Sequence, residues 1–166
     1  MKTILETKRL LLREFTVNDA EFILELVNTP LWLEFIGDKN IRNKENAIDY
    51  IENRLQKSYI NNGYGLWLMQ LKVDATPIGM CGLLNRESLE DIDIGFALLP
   101  EHERKGYTYE AAKATLTYAE KVLQIPKVVA ITNTNNIASI RLLNKLGLQF
   151  DQELLLSEDD PVLLFS

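Results

Sequence analysis

The segment LPEHERKGYTYEAA (residues 99–112) sets two cations, Arg104 and Lys105, and a glycine, Gly106, between the end of an apolar run and the start of a helical pattern. Backbone N–H groups in the first turn of a helix have no partner within the helix, and the dipole there is positive. A glycine just before that turn permits left-handed torsions and close approach of an anion. The chemistry that fits is retention of a phosphate, with donors from the backbone, charge from Arg104 and Lys105, and room from Gly106. The same residues also suit a solvated turn that uses Gly106 only for its torsions.

A second junction of the same kind follows. The β-branched run KVVAIT (127–132) leads directly into NTNNIASIRLLNKLGLQF (133–150), where Asn136 and Ser139 fall in the first turn of a short helix. Their side chains can cap that helix, or they can donate to a ligand lying across the strand end. Two strand-to-helix junctions separated by one long helix leave a slot between them if their strands are neighbours that splay apart.

The elements that must position these junctions are readable from periodicity. RLLLREF (9–15) reads as a first strand, and Asn18 with Glu21 as the capping box of a helix that Thr29-Pro30 ends. A second helix starts near Asn43, presents Ile48, Ile51, Leu55 and Tyr59, and stops at Asn62-Gly63. Residues 66–72, 77–84 and 91–99 read as three antiparallel strands joined by hairpins. Tyr107 to Leu123 reads as a long helix with two apolar stripes, Ala111/Ala114/Tyr118/Val122 and Ala112/Leu116/Ala119/Leu123. The final helix runs from Asn136 to Gly147, and one or two short strands follow. The pattern predicts an α+β fold, helices on both faces of a mixed, mostly antiparallel sheet of six to seven strands, in one domain over 1–166.

Composition narrows the function classes. A formal net charge of −6 argues against a nucleic-acid-binding surface. A single cysteine, Cys81, excludes an internal disulfide framework and fits a reducing compartment. No apolar run approaches the roughly 20 residues needed to span a membrane, and MKTILETKRLLLREF carries charges inside its apolar stretch, unlike a signal peptide. The expectation is a cytoplasmic protein, monomer or homodimer, with no nucleic-acid or membrane partner.

FALLPEHERKGYTYEA resembles the acyl-CoA-binding motif of the GNAT N-acetyltransferases, and NIASIRLLNKLGL resembles that family's later strand–helix motif. The opening LETKRLLLREFTVNDAEFILEL is similar to the N-terminus of the branch that contains ribosomal-protein N-terminal acetyltransferases. The resemblance covers residues 5–150 in the expected order of elements. It implies acetyl-CoA as co-substrate, no metal, and a small-molecule or peptide amine as acceptor, with about four helices around splayed strands that form the acyl-CoA slot.

Carried over residue by residue, the resemblance implies that Arg104, Lys105, Gly106, Tyr107 and Thr108 hold the pyrophosphate. The backbone of Ala97, Leu98 and Leu99 would pair with the pantetheine arm, with Asn136 on the pantetheine side and Ser139 near the thioester sulfur. The chain departs from the family at four places, one of them the pair Thr108-Tyr109, which replaces the smaller residues usual there. Arg104 replaces the first of two glycines, Leu143 stands where some members carry a tyrosine acid, and Ile131 where some carry a glutamate. Ser139 is then the candidate proton donor, Asp93 the first choice of base and Glu90 the second. Cys81 sits in the middle of an apolar strand and reads as inert, and His102 reads as solvated.

On the acceptor side, Trp32 and Phe35 fall in the break TPLWLEFIGD between helices and can contact the acceptor or pack in the core, whereas Trp67 reads as core. The acidic runs SLEDID (88–93) and SEDDP (157–161) would draw a cationic acceptor. The expected activity is transfer of an acetyl group from acetyl-CoA to a primary amine. The competing reading is a module of the same fold that binds acyl-CoA or a partner without turnover.

Overall fold

The computed structural model describes residues 2–166, which form one mixed sheet flanked by helices. The chain opens with a hairpin, β1 (Thr3–Glu6) and β2 (Leu10–Arg13), where a single strand over 9–15 was expected. β1 lies at the sheet edge with only its two central residues half-buried, so it carries little of the alternation that marks a strand in sequence. β2 contributes Leu10 and Leu12, both fully buried.

A 3-10 turn (Val17–Asp19) precedes helix α1 (Ala20–Leu26). The expected Asn18/Glu21 box forms two residues earlier: the Thr16 N–H donates to Asp19 Oδ2 at 2.8 Å. Asp19 wins because Arg13 holds it from the other side, Nη1 to Oδ2 and Nη2 to Oδ1, each 2.9 Å. Pro30 does not merely end α1. It occupies the first position of a further helix, α2 (Pro30–Phe35), where its fixed φ is pre-organised and its missing N–H is no loss. Trp32 and Phe35 are therefore helical residues rather than loop residues.

Helix α3 (Lys44–Tyr50), a π segment (Ile51–Gln56) and α4 (Lys57–Asn62) run on continuously. Asn43 caps them by accepting from the Asn46 N–H at 2.8 Å, and Gly63, at φ +79°, stops them, as the residues predict. Strands β3 (Leu66–Leu71), β4 (Pro77–Leu84) and β5 (Ile92–Leu98) form the expected antiparallel meander. Helix α5 (Tyr107–Lys121) then crosses to β6 (Val128–Asn133), and α6 (Ile137–Lys145) leads to β7 (Phe150–Leu155) and β8 (Pro161–Phe165). The sheet has eight strands rather than six or seven, in the order β1-β2-β3-β4-β5-β6-β8-β7. With α3 to α4 counted as one continuous helix, five helices cover its two faces.

Strand pleating sends alternate side chains to two cores. Trp67, Met69, Cys81 and Leu83 meet α5 and α6 residues Ala111, Ala112, Ala119 and Leu143 on one face. Leu68 and Met80 meet Ile23, Leu26, Trp32, Ile51 and Leu55 on the other. The buried stripe of α5 is Ala111, Ala112, Thr115 and Ala119, small residues that let the helix sit close to the sheet, while Val122 is 61% exposed and leaves the expected stripe.

Candidate active site

One register detail creates the site. Among the described residues β5 and β6 are the sheet's only parallel pair, and they are bridged only at Ile92↔Val128 and Asp93↔Val129. Beyond that point β5 continues along β4, and β6 continues along β8. The gap between them is a cavity of about 780 Å³, lined by Asp93 to Leu98 on one wall and by Ala130 to Asn133 on the other. Its two ends are the 103–109 loop and the start of α6.

The loop has the torsions an anion cradle needs. Arg104 takes φ +62° and Gly106 φ +81°, so both positions are left-handed although only one is glycine. The N–H groups of residues 104 to 109 donate to no protein acceptor among the described residues; the next, that of Glu110, closes the helix on Gly106 O at 3.1 Å. Consecutive free donors in such an αL-containing turn form a concave anion site. Arg104, Gly106, Tyr107, Thr108 and Tyr109 line the cavity, while Lys105 stands outside the lining.

The loop is tied down by a residue absent from the expected site. Arg9, at the start of β2, donates from Nη1 to Lys105 O at 2.9 Å and lies 4.4 Å from the Tyr107 ring centroid. Its Nε and backbone N–H both reach Glu110. Tyr109 has its ring under Lys145 at 4.1 Å and beside Lys113 at 5.9 Å. That adds positive charge at the cavity mouth.

On the β5 wall, the Leu99 N–H is taken by Ile78 O of β4 at 2.8 Å, and Leu99 is buried outside the lining. In an antiparallel ladder, alternate residues turn their backbone groups to opposite neighbours. Ala97 therefore faces β4 as Leu99 does, and the edge presented to the slot is that of Leu98 and Phe96.

Asp93 sits where the strands part. It is 1% exposed, and both carboxylate oxygens accept from Arg86 Nε at 3.1 Å. Burial pushes its pKa up to about 6, and Arg86 opposes that rise without cancelling it. Glu90 is exposed and lies off the cavity. Within the acidic run, Asp91 pairs with Lys127 at 3.5 Å and Asp93 with Arg86, so SLEDID is largely neutralised from within. Of SEDDP only Asp160 and the flanking Leu156 reach the cavity lining.

At the α6 end, Asn136 is the N-cap and accepts the Ser139 N–H at 3.2 Å. Both residues line the cavity, and the Ser139 hydroxyl takes no partner among the described residues. Leu143 is fully buried and, with Ile131, supplies an apolar wall. Across the cavity, Asn133 Nδ2 donates to Phe35 O at 2.7 Å and fastens α2 to β6. Trp32 is 4% exposed yet touches the lining, and Phe35 is half-buried beside it, so the two residues serve core and cavity together. Cys81, hydrogen-bonded to Thr115 at 3.5 Å and with its thiol pushed up to about 12 by burial, takes no part. His102 is half-buried in the loop and also lies off the cavity.

Residues 9–149 match the family profile of the acetyltransferase (GNAT) domain. The chain belongs to the GNAT acetyltransferase family. It is 31% identical over 151 residues to the uncharacterized N-acetyltransferase YoaA of Bacillus subtilis (strain 168), covering 90% of this chain and 84% of that protein. Solved GNAT-fold structures superpose closely. An acetyltransferase from Agrobacterium tumefaciens str. C58 gives a TM-score of 0.83 at 23% identity, covering 99% of this chain and 93% of its own. RimL, a ribosomal L7/L12 alpha-N-protein acetyltransferase in complex with coenzyme A, gives 0.74 at 13% identity, covering 99% and 96%. The GNAT chain described here thus shares its fold with ribosomal-protein acetyltransferases, in keeping with its opening residues.

Arg9, Arg86 and Asn133 are the site-building residues that sequence reasoning missed. Arg86 had a usable signal: in the hairpin register, Leu84 pairs with Asp93, so a residue two further into the turn falls beside that carboxylate. Arg9 and Asn133 act on partners about a hundred positions away, and no local pattern marks them.

Proposed function

We propose that this GNAT protein transfers an acetyl group from acetyl-CoA to a primary amine, in a ternary complex held in the β5/β6 slot. The observation that carries the reading is the run of unpartnered N–H groups at 104–109, opening onto a slot whose β5 edge is unpaired. Those donors, with Arg104, would hold the pyrophosphate. The backbone of Leu98 and Phe96 would pair with the pantetheine arm as an added strand, with Asn136 on its other side. RimL, a fold neighbour known in complex with coenzyme A, supports this assignment.

Acetyl-CoA supplies an activated thioester. Transfer forms one N–C bond, breaks one C–S bond and moves one proton from nitrogen to sulfur. Asp93 is the group placed to take that proton. Its raised pKa puts it near the optimum for a base working at neutral pH, and Arg86 keeps it ionised there. Ser139, with its hydroxyl uncommitted, is placed to return a proton to sulfur. The walls of Ile131, Leu142 and Leu143 exclude water, and orientation of amine against thioester supplies much of the rate.

Thermal unfolding with and without acetyl-CoA, paired with release of free CoA from a panel of primary amines, tests the reading. A ligand at about 100 times its Kd adds about 2.7 kcal/mol. A shift that Arg104→Glu abolishes, together with CoA release, supports the enzyme. A shift without turnover on any amine leaves a binding module, the reading that Arg104, Leu143 and Ile131 suggest. No shift at millimolar acetyl-CoA overturns both.

A further inference from the structure

The 103–109 loop borders a second cavity besides the slot. This one is more open, of about 820 Å³, and lies between the β1–β2 hairpin and α5. Gly106 and Tyr109 line both cavities, so Tyr109 is the partition between the slot and an outer shelf. Its ring is half-buried, directly beside the free N–H groups of the loop. Each cavity contributes one ammonium group to that ring. Lys145, at the end of α6, lines the slot and stands 4.1 Å from the ring centroid. Lys113, one turn further along α5, lines the shelf and stands 5.9 Å from it.

Neither cation is neutralised. Among the described residues Lys113 and Lys145 enter no ion pair, in a chain whose net charge of −6 leaves carboxylates in excess. The two acids that line the shelf are committed elsewhere: Glu110 to Thr7 and Arg9, and Glu6 to Lys72 at 3.2 Å. A contact with a ring face fixes the position of an ammonium group without cancelling its charge, as a carboxylate would. The ring therefore holds two cations from two helices in place and leaves both able to meet an anion. The pyrophosphate does not require them, because the backbone N–H groups of 104–109 and Arg104 already face it in the proposed complex.

We propose that Tyr109, Lys113 and Lys145 seat a second anionic group of the cofactor, the phosphate monoester at the nucleotide end of coenzyme A. The proposal rests on the acetyl-CoA reading of the slot and adds to it a means of telling CoA from its dephosphorylated form. With the pantetheine arm in the slot and the pyrophosphate on the loop, the nucleotide leaves the loop on the outer side. Its 3′-phosphate is then one ribose away from the pyrophosphate, at the level of Tyr109. That monoester carries a charge of about −2 near neutral pH, which two unpaired ammonium groups match. Lys113 and Lys145 are the specificity-determining residues, and Tyr109 is a positioning residue that acts through them.

Calorimetric titrations of the whole chain test the seat with two matched pairs: CoA against 3′-dephospho-CoA, and adenosine 3′,5′-bisphosphate against AMP. The 3′-phosphorylated member of each pair should bind about tenfold tighter, and the advantage should shrink as salt rises. Lys113→Gln and Lys145→Gln, both at exposed positions, should each reduce that ratio, and the double variant should bring it close to one. Tyr109→Ala should lower the ratio and Tyr109→Phe, which keeps the ring, should preserve it; a merely structural Tyr109 would weaken all four ligands alike. Equal binding of CoA and dephospho-CoA, or a ratio unchanged in the double variant, overturns the seat and leaves the acetyl-CoA reading standing. Preference for the bisphosphate over AMP with no binding of CoA keeps the seat and removes the slot reading. No binding by any of the four overturns both.

Discussion

Arg9 and Glu110, 101 positions apart, close a double contact: the Arg9 N–H donates to Oε1 at 2.8 Å, and its Nε to Oε2 at 2.7 Å. Thr7 adds a third donor to Oε1 at 2.6 Å. The first turn of α5 is thereby pinned to the β1–β2 hairpin, and the free Arg9 nitrogen holds the loop at Lys105 O. Glu110→Ala should weaken acetyl-CoA binding about tenfold by loosening the loop. The global cost should be only about 1 kcal/mol, because the Arg9 side chain is 41% exposed. Calorimetry against chemical unfolding separates the two effects.

Arg104 holds a left-handed torsion that costs a non-glycine residue about 1–2 kcal/mol. Glycine would relieve that strain but gives back part of the gain as unfolded-state entropy. Arg104→Gly should therefore raise stability by about 0.5–1 kcal/mol and lower acetyl-CoA affinity, with a shallower dependence of affinity on salt. Paired melting and binding titrations check the opposite signs.

Asp93 links pH to both activity and stability. In its proposed role as the base it must be ionised, so kcat/KM should fall as pH drops through about 6 and should lose that limb in Asp93→Asn. Its folded pKa lies above the ordinary carboxylate value, so the folded state binds the proton more tightly. Stability is then lost as pH rises from about 4 to 6 and stays lower above that. Asparagine mimics the neutral form. The variant should gain about 2–3 kcal/mol at pH 7.5, and the gain should vanish near pH 4. Unfolding across pH, compared with wild type, reads it directly.

Arg13 and Asp19 are both nearly buried and form a bidentate pair, with Arg13 Nε also donating to Gln70 at 2.8 Å and the Thr16 N–H to Asp19. Removing one member strands the other charge. Asp19→Ala should cost about 3 kcal/mol, whereas Lys2→Ala, which breaks a surface pair of 3.8 Å, should be nearly silent. Chemical denaturation distinguishes the two pairs.

What could be read in advance was whatever one segment determines alone. The cap at Asn43, the stop at Gly63, the meander from β3 to β5 and the start of α5 after Gly106 all rest on local torsions or alternation, and all appear. β1 and α2 escaped because each depends on a partner: β1 on pairing with β2, and α2 on a proline that reads equally as a stop or a start. The 103–109 loop was legible as an anion cradle because its donors are its own backbone. Asp93 was legible as an acid but not as a buried one, since Arg86 and the parting of β5 from β6 create its environment.

The parting of β5 from β6 gives the sheet four free edges instead of two, the outer ones at β1 and β7 and an inner pair that face each other. An exposed edge ordinarily invites another chain to add to it. The inner pair is screened: α5 packs on β4 and β5, and the Asn133 contact to Phe35 ties α2 across the opening. An extended ligand with amide groups along its length can complete the ladder there, so the fold shields from chance partners the very edges it leaves open to a ligand.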